Sequence, residues 1–92
     1  MNRIHLTISG RVQGVYFRQT TRLKANELGV SGWVRNRTNG TVELVAEGPI
    51  ESLNRLAKWC ESGPEMAQVQ EIDRVDEEAV GIPDGFDVRP TV

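Results

Sequence analysis

Ninety-two residues suffice for one domain with a modest two-layer core and are too few for two cores. Hydrophobic residues make up 38% of the chain and charges are dispersed rather than gathered in blocks, which argues against disorder. A net charge of -2 gives no general attraction to nucleic acid or anionic membranes, so any anion must be recognised by a local set of groups.

The chain opens with Ile4, Leu6 and Ile8 alternating with His5, Thr7 and Ser9, the period of a strand with one apolar face that stops at Gly10. The stretch Gly10-Arg11-Val12-Gln13-Gly14-Val15-Tyr16-Phe17-Arg18 follows, and a helical pattern begins at about Gln19. Two glycines let this loop curl with its N–H groups inward, a cradle for a phosphate-sized anion. No Ser, Thr, Asp or Asn immediately precedes Gln19 to cap the helix. A bound anion could take the free first-turn donors while Arg18 offers a planar, permanently charged fork. The same strand, Gly-x-x-x-Gly loop and helix also occur in domains that bind nothing, so the pattern alone leaves both readings open. It is not a P-loop, because the Gly-Lys-Ser/Thr ending is missing and nothing is placed to hold magnesium.

Thr21, Ala25 and Leu28 then form a narrow apolar helical stripe that ends at Gly29. Val30 to Arg37 reads as a strand, Thr38-Asn39-Gly40 as a tight hairpin turn, and Thr41 to Glu47 as the returning strand. Val42, Leu44 and Ala46 mark its apolar face; Thr41, Glu43, Val45 and Glu47 mark a mostly polar one. Arg35 and Arg37 read as a solvated face and His5 as a polar surface residue. Gly48-Pro49 opens a second helix with the stripe Ile50, Leu53, Leu56, Ala57 and Cys60; Trp59 beside it reads as a packing residue. Cys60, the single cysteine, reads as a buried, inert thiol.

Gly63-Pro64 breaks that helix, and Ala67 to Glu78 is a strand in which Val69, Ile72 and Val75 do not share one parity, so a bulge is expected near Gln70 and Glu71. After a loop from Ala79 to Gly85, Phe86-Asp87-Val88 forms a short edge strand before Pro90. The order β-α-β-β-α-β with a small terminal strand predicts an α+β, ferredoxin-like sandwich: an antiparallel sheet with two helices on one face. That fold hosts unrelated functions and does not choose among them. RNA-binding versions place aromatics on central strands in a basic setting, whereas the first strand here shows His5, Thr7 and Ser9.

At this point the residues resemble a known family. Gly10 to Arg18 is similar to the acylphosphatase pattern G-x-V-Q-G-V-x-F-R at every fixed position, and Gly32-Trp33-Val34-Arg35-Asn36 resembles its second motif, G-W-V-x-N. Gly40-Thr41-Val42-Glu43, Glu47-Gly48-Pro49 and Phe86-Asp87-Val88-Arg89 resemble the family's hairpin, second-helix entry and terminal strand. The likeness makes residues 1–92 a single acylphosphatase-like domain. It implies hydrolysis of the carboxyl-phosphate bond of acyl phosphates to a carboxylate and inorganic phosphate, with no metal or cofactor. It further implies that Arg18 binds the phosphoryl group with the backbone amides of Gln13, Gly14, Val15, Tyr16, Phe17 and Arg18, and that Asn36 orients the attacking water. Arg37 stands where some members carry a small hydroxyl residue.

The residue types suit that reaction on chemical grounds. Asn cannot take a proton at neutral pH, but its amide can hold a water and aim a lone pair at phosphorus. The loop lacks Ser, Thr, Cys, His, Asp and Glu, and so offers neither a nucleophile nor a general acid. An alkoxide leaving group would need a proton or a metal, whereas a carboxylate leaves unaided. Two readings of different class follow: an acyl phosphate hydrolase, or a module that binds phosphate or carboxyl-phosphate without turnover. The expected ligands are a small acyl phosphate and, as product-like ions, phosphate or sulfate. With no leader-like segment and no apolar run near about 20 residues, a cytoplasmic monomer is expected, with neither nucleic-acid nor membrane partners.

Overall fold

In the computed structural model, which describes residues 1–92, the first alternating stretch becomes β1 (Asn2–Arg11), with Ile4, Leu6 and Ile8 on its buried face. The remaining elements are α1 (Phe17–Leu28), β2 (Ser31–Asn36), β3 (Val42–Gly48), α2 (Ile50–Ser62), β4 (Gln68–Glu78) and β5 (Phe86–Val88). The sheet order is β4-β1-β3-β2-β5. The first four strands pair antiparallel, as the element order predicts, and β5 joins β2 in parallel, so the five-stranded sheet is mixed.

Apolar side chains at every second position of β1 and β3 meet the stripes of both helices in one core. Ile4, Leu6, Ile8, Val42, Leu44 and Ala46 come from the sheet, Phe17 and Ala25 from α1, and Leu53, Leu56 and Cys60 from α2. Each large aliphatic side chain so buried stabilises the fold by about 1.5–3 kcal/mol. Trp59 packs on this core with its ring 5.8 Å from that of Phe17. Burial pushes the Cys60 thiol up to about 12, which keeps it protonated and unreactive, as its setting in the sequence suggests.

The expected bulge is present. Ser9 pairs with Glu71 and Gly10 with Val69, leaving Gln70 as the extra residue. Gly10 enables this: its φ is 122°, and a Cβ there would lie 2.3 Å from the Gln68 carbonyl oxygen.

Two expectations need correction. The first helix starts at Phe17 rather than at about Gln19, because the left-handed Tyr16 closes the loop earlier and Phe17 is drawn into the core. The supposedly polar face of β3 is buried along its whole length, Glu43 and Glu47 included. The sheet has no helix on that side. Instead, Glu43 is covered by His5, Arg35 and Arg37, and Glu47 by Arg3 and the segment 80–82.

Candidate active site

The β1–α1 loop is anchored by its own apolar residues. Val12, Val15 and Phe17 are buried, which leaves Gly14 and Tyr16 facing outward. Gly14 has φ 73° and Tyr16 φ 63°, whereas Gln13, Val15 and Phe17 keep negative φ. Alternating backbone handedness of this kind can turn successive N–H groups toward one concavity, an arrangement suited to anions. The backbone amides from Gln13 to Gln19 donate to no other group of the protein, and α1 has no side-chain cap. The positive end of the helix dipole therefore meets a set of unused donors.

Tyr16 is the one non-glycine residue with positive φ. Its carbonyl accepts from Thr20 N (3.1 Å) and Thr20 Oγ1 (2.8 Å), which pins the turn, and the residue is 72% exposed. Tyr16→Gly should relieve the left-handed strain while losing little packing, for a gain of about 1 kcal/mol. A rise in melting temperature of about 4–8 °C is expected; an unchanged or lower value would mean that the turn stores no strain.

A cavity of about 340 Å³ lies over this loop, lined by Val12, Gly14, Tyr16, Phe17, Arg18, Gln19 and Asn36. It brings together the two side chains singled out in the sequence: Arg18 from the first turn of α1 and Asn36 from the last position of β2. Arg18 has no ion-pair partner. The buried Oδ1 of Asn36 accepts no hydrogen bond from the protein. Of the six loop residues whose amides are expected to hold phosphate, Gly14, Tyr16, Phe17 and Arg18 border the cavity; Gln13 and Val15 do not.

The chain matches the acylphosphatase family over residues 4–88. It belongs to that family. It is 48% identical over 87 residues to the acylphosphatase of Rubrobacter xylanophilus, covering 95% of this chain and 79% of that one. Identity with the acylphosphatase of Marinobacter nauticus is 56% over 72 residues, 78% of each chain. The crystal structure of an acylphosphatase from Bacillus subtilis superposes with a TM-score of 0.93 at 30% identity, covering 97% of this chain and 99% of that one.

This member of the acylphosphatase family carries charged residues near the site that pattern reading misassigned. Arg35 and Arg37 are not a free solvated face. Arg35 Nε donates to Glu43 Oε1 at 2.7 Å and Arg37 Nη1 to the same oxygen at 3.0 Å. His5 Nε2 meets Glu43 Oε2 at 2.6 Å; a carboxylate only accepts, so that ring nitrogen carries hydrogen. Burial by itself would raise the Glu43 carboxyl, but His5, Arg35 and Arg37 together outweigh it and bring its pKa down to about 2. Arg35 and Arg89 also lie over the Trp33 ring, at 4.6 and 5.0 Å. These cations are committed to the helix-free face of the sheet, which leaves Arg18 as the arginine at the cavity.

Proposed function

We propose that this chain hydrolyses the carboxyl-phosphate bond of acyl phosphates, releasing a carboxylate and inorganic phosphate, and that residues 1–92 do so as one domain. The phosphoryl oxygens sit against the Arg18 guanidinium and the backbone amides of residues 13–18, and Asn36 holds the attacking water. What carries this reading is one coincidence: residues Gly14, Tyr16, Phe17 and Arg18, whose amides have no acceptor, the unpaired Arg18 guanidinium and the unpartnered Asn36 Oδ1 all belong to a single cavity.

Phosphoryl transfer passes through a loose transition state with charge spread over the phosphoryl oxygens, and fixed donors stabilise that charge without rearranging. The water bonds to Asn36 Oδ1 through one O–H, which leaves a lone pair free to approach phosphorus opposite the leaving carboxylate. No cavity residue is a base at neutral pH, so the water proton passes late to a phosphoryl oxygen of the substrate. The carboxylate departs without protonation, which restricts the equipment to good leaving groups.

The test is phosphate release from benzoyl phosphate in the presence of a chelator. Turnover is expected, and inorganic phosphate at millimolar concentration should both inhibit it and raise the melting temperature by mass action. Phosphate binding without turnover would instead identify a binding module.

A further inference from the structure

The side chain of Gln13 points away from the cavity that its own loop builds. Its Nε2 donates to two carbonyls of the β2–β3 hairpin, Arg37 O at 2.8 Å and Thr41 O at 2.9 Å. Those two residues face each other across the mouth of the hairpin, where Arg37 N also donates to Thr41 O at 2.8 Å. Arg37 directly follows Asn36, and no other hydrogen bond joins loop 12–16 to the hairpin. One carboxamide therefore connects the phosphate cradle to the strand end that presents Asn36.

We propose that Gln13 is a positioning residue: its side chain fixes the distance and angle between the cradle and Asn36, and so the aim of the water at phosphorus. This rests on the hydrolytic reading above. The two parts come from separate elements, the loop after β1 and the end of β2, and each is well held within itself. Val12 and Val15 anchor the loop in the core, and the β3 ladder holds Asn36 opposite Val42. What neither anchor sets is their relative placement to within the fraction of an ångström that in-line attack requires. Both hydrogens of the Gln13 amide are used for that purpose, so an isosteric side chain without them cannot substitute.

The test compares Gln13→Glu and Gln13→Met with wild type, after thermal melting has established that each is folded. With benzoyl phosphate, kcat is expected to fall about 10- to 100-fold, while the inhibition constant of inorganic phosphate stays within about threefold because Arg18 and the loop amides are untouched. Gln13→Glu should regain part of its kcat as pH is lowered, since a protonated carboxyl returns one donor to the carbonyls; Gln13→Met should not. In an Asn36→Ala background, removing Gln13 should cost little more, the non-additivity expected of residues that act as a unit. The proposal is overturned if either folded variant keeps wild-type kcat, if kcat and phosphate binding fall together, or if the two losses simply add. A wild-type protein that releases no phosphate would sink the hydrolytic reading itself, a different outcome from variants that keep pace with an active parent.

Discussion

Arg18→Ala is expected to lower kcat/KM for benzoyl phosphate by at least about 10³-fold and to abolish inhibition by inorganic phosphate. Arg18 is the one side chain at the cavity that brings a full positive charge, and no carboxylate competes for it. Backbone amides contribute partial charges that a short side chain cannot replace in kind. Arg18→Lys should recover only part of the loss, because an ammonium lacks the planar fork that meets two phosphoryl oxygens at once. Asn36→Ala should give the complementary pattern, with turnover lost and phosphate inhibition retained. If Arg18→Ala still bound phosphate normally, the anion would have to lie elsewhere than in the curl of residues 13–18.

The second large effect concerns stability. Glu47 is fully buried on the helix-free side of the sheet and accepts from Val80 N (2.8 Å), Gly81 N (3.0 Å), Ile82 N (3.0 Å) and Arg3 Nη1 (3.2 Å). Glu47→Ala strands these donors and should cost about 3–5 kcal/mol, enough to leave a domain of this size barely folded. Burial would raise this carboxyl, but the amides of Val80, Ile82 and Gly81 and the Arg3 guanidinium outweigh it and hold the pKa at about 2 instead of the ordinary 4.5. A carboxyl depressed on folding contributes stability that is complete above its unfolded value and vanishes as pH falls through the folded one. With Glu43 shifted the same way, melting temperature should decline between pH 4.5 and about 2. Glu47→Gln should be less stable at pH 6 and show a shallower acid slope, read from melting curves at each pH. A wild-type curve flat across that interval would contradict both depressed carboxyls.

Why those carboxylates escaped sequence reading is a matter of what periodicity encodes. The alternation of Val42, Leu44 and Ala46 says which face of β3 meets the helices. It says nothing about what lies over the opposite face. Glu43 is buried by side chains from β1, from β2 and from Arg37 just after it, and Glu47 by Arg3 and a segment more than 30 residues away, and neither arrangement has a local signature. Arg35 and Arg37 fit a solvated face only until the register pairs Arg35 with Glu43 and the Arg37 side chain, from just beyond β2, reaches the same carboxylate. The start of α1 was misplaced by two residues because a left-handed tyrosine is not a common way to enter a helix. The bulge at Gln70 was legible because a bulge shifts parity, which is visible in one strand alone. Motif resemblance singles out Arg18 and Asn36, and the fold brings both to one cavity; the chemistry of the loop narrows what they could do there. The Gln13 contacts were not legible, since a glutamine in a loop gives no hint of which carbonyls it will find.

Cys60 offers a built-in reporter. Its sulfur is sealed beneath α2 and its pKa is pushed up to about 12, so a thiol-specific dye can modify it only in molecules that have opened. The labelling rate at neutral pH thus tracks how often the interior is breached, without any engineered tag. Slower labelling with phosphate in the buffer would transmit occupancy of the loop to an optical signal on the far helix.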